Sequence, residues 1–223
     1  MRERLDPAAD DDVDRPRHPW ADGWREAVRG RLATFEAVGT PHAEGRAAAV
    51  AFALVPTRDD PSELGFLLTM RTPTLSSHAG QWALPGGRED AGESSEEAAL
   101  RELSEELGVS LGDDAVLGRL DDYVTRSGFV ITPVVVWAGD VELAPNPAEV
   151  ARAFRVPIGL LDRPDAPRFI SIPESDRPVV QMPLLGTLVH APTGAILYQA
   201  REVLLHGRAT RVAHLEQPVW AWR

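Results

Sequence analysis

Cysteine is absent from the 223 residues of this chain. That excludes a disulfide framework, a zinc–thiolate centre and a cysteine nucleophile. Lysine is absent as well: all 23 basic residues are arginine, which with the many alanines hints at a GC-rich genome and says nothing of function. No hydrophobic leader region opens the chain, and no apolar run reaches the roughly 18 residues that a membrane-spanning helix needs. The expectation is a soluble, cytoplasmic protein without a membrane partner. An excess of basic charge is also missing. The net charge of −11 argues against binding a nucleic-acid polymer, although it permits a small anionic substrate, because metals and a few arginines can reverse the potential locally.

What is present fits one domain with extensions. Residues 1–20, rich in Asp, Pro and Arg without apolar periodicity, read as a flexible acidic tail, and residues 21–223 as a single domain. Trp24, Val28, Leu32 and Phe35 share one stripe, predicting an amphipathic helix over Trp24–Val38. Ala47–Pro56, Leu64–Arg71, Ala115–Tyr123 and Phe129–Ala138 read as strands, and Ala83–Gly87 as a short strand entering a tight turn. Ala148–Leu161 reads as a second amphipathic helix broken at Pro157. Phe169–Leu185 and Ala195–Leu205 read as further strands joined by a turn at 192–194, giving a C-terminal strand extension. Strands flanking a central helix, with another helix late in the chain, imply an α/β fold: a three-layer α/β/α sandwich with a mixed sheet.

The chemistry concentrates in Gly87-x5-Glu93-x7-Arg101-Glu102-Leu103-x-Glu105-Glu106-x-Gly108-Val109. Seven positions are set by identity; at about 7% frequency each, a chance match at one register is on the order of 10⁻⁸, so coincidence is set aside. On a helix, Glu102, Glu105 and Glu106 fall within an arc of about 100°, while Leu100, Leu103 and Leu107 face the opposite way, toward a sheet. Three like charges on one arc repel. A hard divalent cation such as Mg²⁺, or Mn²⁺ in its place, removes that cost through oxygen ligands. Arg101 is fork-shaped and suited to clamping Glu93 or Glu105. Ser94 or Ser95 can cap the helix, with Glu97 three residues after Ser94 as a capping box requires, and Gly108 stands at a natural C′ position.

This spacing resembles the Nudix box, the motif of hydrolases that cleave nucleoside diphosphates linked to another moiety. The resemblance implies a Nudix-like fold and metal ligation by Glu102, Glu105 and Glu106. It also implies catalytic roles for Glu93, Arg101, Glu102 and Glu105, with Arg101 orienting acidic residues rather than attacking. Leu67-Leu68-Thr69-Met70-Arg71, then Leu75, His78, Gly80-Gln81 and Leu84-Pro85-Gly86-Gly87, is similar to the extended motif of the coenzyme A pyrophosphatase branch. So is Asn146-Pro147-Ala148-Glu149-Val150 with Phe154 and Val156-Pro157. Thr72 and Leu84 stand where that branch usually has Ser and Phe. The branch implies that Arg71, His78, Gln81, Gly86 and Gly87 bind substrate, which would be coenzyme A or an acyl-coenzyme A. A nucleoside triphosphate or ADP-ribose remains the alternative substrate, a ligand-sensing regulator the non-enzyme alternative, and a homodimer is compatible with either. The proton acceptor is left open among Glu102, Glu105 and Glu149.

Overall fold

Alternation along Ala47–Pro56 (β1) sets the layering. Ala49, Ala51 and Ala53 join one core and Phe52 and Leu54 the other, all of them fully buried. A strand with no solvent face must be covered on both sides. The computed structural model, which describes residues 14–42, 46–72 and 80–222, shows both covers.

β1 sits inside a mixed sheet with β2 (Leu64–Arg71), β3 (Trp82–Ala83), β4 (Gly86–Arg88), β5 (Val116–Arg119), β6 (Tyr123–Val124), β7 (Val130–Trp137) and β8 (Val150–Pro157). It runs parallel to β7 from Ala47↔Val130 to Leu54↔Trp137, while its pairings with β2 and β4 are antiparallel. β1 and β2 pair only over Leu54–Pro56 and Leu64–Phe66. Beyond that point they fork: β3 pairs with β2, and β4 pairs with β1. The functional turn is therefore suspended in a gap between two strands.

On the alanine side, helix α2 (Ser95–Leu107) closes the core with Ala98, Ala99, Leu103 and Leu107. Small side chains on the strand let a helix approach closely at native packing density. The opposite core takes Val28 and Leu32 from α1 (Asp22–Thr34) and Ile196, Leu197 and Ala200 from α3 (Thr193–Ala200). Met182, Leu184 and Val189 complete it from a small antiparallel sheet of β9 (Arg168–Ile172), β10 (Ser175–Leu184) and β11 (Thr187–His190). The three-layer expectation holds, but with different elements in the outer layer.

Four expectations are corrected. Ala148–Leu161 is not a helix. It is β8, paired with β2 from Gly65↔Pro157 to Arg71↔Val150, followed by a 3₁₀ turn at Ile158–Asp162. Val150, Phe154 and Val156 satisfy a two-residue period as well as a helical one, and pairing to β2 decides. Ala195–Leu205 is helical, not a strand: α3 continues as a π-helical turn over Arg201–Leu205. Its apolar residues at 196, 197, 200, 203 and 204 follow the helical period. Phe169–Leu185 is two strands, separated by a turn at residues 173–174.

The fourth correction concerns the tail, of which residues 1–13 lie outside the described residues. Residues 14–20 are docked. The Trp20 N–H donates to the Ser62 carbonyl (2.6 Å), the Leu64 N–H to the His18 carbonyl (2.7 Å), and Arg15 pairs with the buried Glu63. Trp20 stacks on Trp137 with centroids 4.2 Å apart and planes at 11°. One tryptophan and two ion pairs, Arg15–Glu63 and the exposed Arg17–Asp60, anchor a segment whose composition alone reads as disordered. Trp20→Ala should therefore lower the unfolding free energy by about 1–3 kcal/mol in chemical denaturation; an unchanged midpoint would show that the docked segment contributes nothing to stability.

Candidate functional site

α2 begins and ends where its sequence says. Ser94 accepts from the Glu97 N–H at 3.2 Å while Glu97 accepts from the Ser94 N–H at 2.8 Å, a complete capping box. Gly108 closes the helix in the left-handed conformation (φ 69°), its N–H bonded to the Ser104 carbonyl. With Leu100, Leu103 and Leu107 buried against the sheet, the glutamates are aimed toward β4 and the end of β2.

Arg101 organises them. Its Nε and Nη2 grip the two oxygens of Glu93 at 2.8 and 3.0 Å, and its Nη1 reaches Glu102 at 2.8 Å and Glu105 at 3.0 Å. Nη2 also donates to the Arg88 carbonyl at 2.9 Å, tying α2 to β4. Glu93 accepts a further bond from the Asp90 N–H at 2.8 Å. Hydrogen bonds from Arg101 hold the Glu93 carboxyl below its ordinary proton affinity, and those carboxylates in turn keep Arg101 firmly protonated. Gly87 lies against Glu102 so tightly that a Cβ there would stand 2.2 Å from Oε1. Only glycine allows this approach.

Glu106 behaves differently. The three carboxylates share an arc but not an environment: the Glu105 side chain is 55% exposed and that of Glu106 only 2%. Burial pushes the Glu106 carboxyl up to about 8, against the opposing pull of Arg71, whose Nη1 stands 3.5 Å away, and of a Gly86 backbone hydrogen bond. Glu102 and Glu149 add like-charge repulsion. Burial raises Glu102 as well, partly offset by Arg101.

Glu149 lies in the turn before β8, where Asn146 approaches its carboxylate at 3.4 Å; it caps no helix, but its charge faces both Glu102 and Glu106. Gln81 is joined to Arg71 through the backbone, the Arg71 N–H donating to its carbonyl at 3.0 Å. Gly86 packs on β1 opposite Val50. His78 lies outside the described residues. The structure thus brings Glu93, Arg101, Glu102, Glu105, Glu106, Arg71 and Gly87 together. Sequence reasoning had overlooked Glu89, which accepts from the Ser95 hydroxyl at 2.6 Å, and the backbone carbonyl of Arg88. A carbonyl carries no side-chain signal, so only the fold reveals it.

Among the described residues, no three acidic or histidine side chains already converge on one point at ligand distance; Arg101 and Arg71 occupy several of their oxygens. The donor set nonetheless fits a hard divalent cation. It is all carboxylate oxygen, and the buried Glu106 beside Glu102 and Glu149 is destabilised as an anion unless positive charge is supplied.

A mixed sheet forked around a glycine turn, with an arginine-bound carboxylate set on the following helix, defines the class. The NUDIX domain family model matches residues 47–171, more than half of the chain, and the chain belongs to that family. It is similar to the Nudix hydrolase NudL of Photorhabdus laumondii, 45% identical over 94 residues covering 41% of this chain and 50% of that protein. It is also similar to Nudix hydrolase 3 of Caenorhabditis elegans, 40% identical over 97 residues covering 41% of this chain and 40% of that protein. The chain thus spans about half the length of the curated relatives it matches, or less. A MutT/nudix family protein of Enterococcus faecalis shares the fold, with a TM-score of 0.51, 20% identity, and 74% of this chain and 64% of that one covered.

Glu106 generates a pH dependence. Its proton affinity is higher folded (about 8) than its ordinary 4.5, so the folded chain binds the extra proton between those values. Its contribution is fully favourable below the lower value and is lost as pH rises through the upper one. Without divalent cations, stability should fall by an amount on the order of a few kcal/mol from pH 5 to pH 9. Glu106→Gln should flatten that slope. Thermal melts of both proteins across this range in chelator are the check, and parallel slopes would refute the assignment.

Proposed function

We propose that this chain hydrolyses the phosphoanhydride of a nucleoside diphosphate derivative, with coenzyme A or an acyl-coenzyme A as substrate and Mg²⁺ or Mn²⁺ as cofactor. The observation that carries the reading is the single guanidinium of Arg101 holding Glu93, Glu102 and Glu105 beside the Gly87 backbone. Glu102, Glu105 and Glu106 would hold the cation, which supplies positive charge against the diphosphate oxygens in the transition state.

The chain's own residues do the rest. Gly86 and Gly87 would meet the diphosphate through their backbone amides, while their missing side chains leave room for Val50 of β1 and for the Glu102 carboxylate. Arg71, fixed at the end of β2 and a quarter exposed, carries donors for phosphate oxygens while its other side offsets Glu106. Arg101 orients its three carboxylates and touches no substrate. A carboxylate must take the proton of the attacking water. Both Glu102 and Glu105 bond to Arg101, but Glu102 suits that task better: burial raises its proton affinity and it stands against Gly87, whereas Glu105 is exposed. Glu149 faces the same cluster from the opposite strand end and is the second candidate.

Support for the coenzyme A class comes from the extended motif around Arg71, Gln81 and Leu84–Gly87, with His78 also assigned to substrate binding. The substrate is a small nucleotide rather than a polymer, in keeping with the net charge of −11. A cytoplasmic place of action and a homodimeric form belong to the same reading; no helix among the described residues is long and apolar enough to cross a membrane.

Coenzyme A, acetyl-coenzyme A, ADP-ribose, NADH and a nucleoside triphosphate, compared at equal concentration with Mg²⁺ or Mn²⁺, should give the highest kcat/KM for the coenzyme A pair, releasing 4′-phosphopantetheine. A preference for ADP-ribose would overturn the substrate while sparing the reaction class. Glu106→Gln should lower kcat on the order of 100-fold or more with the fold retained by circular dichroism, since it removes a carboxylate from the cation-binding set. Near-normal turnover in that variant would sink the ligand assignment.

A further inference from the structure

We propose that Arg46 and Arg88, gathered on the ring of Phe129, form a binding subsite for a phosphate monoester that the substrate carries apart from its diphosphate. This rests on the reading above and extends it to the group that distinguishes one nucleotide from another.

Three chain segments meet there. Arg46 immediately precedes β1, Arg88 ends β4, and Phe129 immediately precedes β7; the sheet order β4–β1–β7 makes them neighbours. The guanidinium carbons of Arg46 and Arg88 lie 5.1 and 4.9 Å from the Phe129 ring centroid. Arg46 also donates to the Ser127 carbonyl at 2.9 Å. The ring itself is held by a closed loop. The Thr125 and Phe129 backbones bond at 2.8 Å, the Phe129 N–H donates to the Thr125 hydroxyl at 2.9 Å, and the Gly128 N–H reaches the Thr125 carbonyl at 2.9 Å.

Charge makes the arrangement informative. Among the described residues neither arginine has a carboxylate partner, as is also true of Arg31 and Arg152, but Arg46 and Arg88 alone among the ring-bound arginines share one ring. Both guanidiniums are exposed and stand within 5.1 Å of one ring centroid, and a dianion that reaches both would accept N–H donors from each. An adenine or other flat base is the weaker fit, since both arginines already attend the single ring present.

Position links the pair to the carboxylate cluster. Arg88 follows Gly87, the residue pressed on Glu102, and its carbonyl is held by Arg101. Successive strand residues point to opposite faces. Gly87 faces α2, so the Arg88 side chain emerges on the other face of β4, beside the fork between β1 and β2. A substrate with its diphosphate at Gly87 and a second phosphate across the strand would engage both.

The test is direct binding to the full chain, independent of turnover. Adenosine 3′,5′-bisphosphate and adenosine 5′-monophosphate are titrated calorimetrically into the wild type and an Arg46→Gln/Arg88→Gln double variant. Two charge-assisted contacts should make the bisphosphate bind roughly tenfold or more tightly than the monophosphate to the wild type. The double variant should lose that preference, with monophosphate affinity and melting temperature unchanged. Equal affinities in the wild type, or a preference surviving in the double variant, would overturn the subsite. Kinetically, the double variant should raise KM for coenzyme A but not for its 3′-dephospho form, with kcat unaltered. If neither compound is hydrolysed the proposed activity fails, whereas the calorimetric comparison still decides on the subsite.

Discussion

One guanidinium decides the geometry of the functional site. Arg101 makes bonds to three carboxylates and one carbonyl, so the register of α2 against β4 and the positions of Glu93, Glu102 and Glu105 are not independent facts. A lysine could supply the charge but not the planar fork that addresses both oxygens of Glu93 while reaching sideways to the others. The capping box at Ser94 and the left-handed Gly108 then fix where α2 starts and stops, which fixes which turn of the helix faces Gly87.

Glu106 is the counterpart of that order. Its carboxylate is buried with like charges near it and a single arginine 3.5 Å away, an arrangement that costs stability in the bare protein. Sites poised for function commonly carry such a cost, and perturbed proton affinities gather there. The same residue therefore accounts for the affinity a divalent cation would find and for the sensitivity of the bare fold to pH.

The parts of the molecule legible in the sequence are the local ones. Ser94–Glu97, Gly108 and the Leu100/Leu103/Leu107 stripe speak within a few residues of one another, and α2 forms where they place it. In β8, Val150, Phe154 and Val156 suit either period, and only the partner strand β2 resolves the ambiguity. Ala195–Leu205 is ambiguous in the opposite sense: β-branched Ile196 and Val203 favour a strand, while the spacing is helical and the helix forms. Residues 14–20 looked like tail because their anchors, Trp137 and Glu63, lie far along the chain. Within the site, a clamp from Arg101 to Glu93 or Glu105 is legible in the shape of the guanidinium and the structure has both, whereas the burial difference between Glu105 and Glu106 follows from how α2 leans on the sheet. Arg46, Phe129 and Arg88 become neighbours only through strand order, which no local pattern encodes.

The docked segment 14–20 touches Ser62, Glu63 and Leu64 at the start of β2, Trp137 at the end of β7, and, through the Pro16 carbonyl, Gly159 just past β8. By strand register these points lie at the opposite pole of the sheet from Gly87 and Ala49. The segment works as a seam, drawing together three strand ends that the sheet alone leaves loose. These anchors gather at one pole and the carboxylates at the other, so substitutions in the seam can change heat tolerance while leaving the Arg101 cluster untouched.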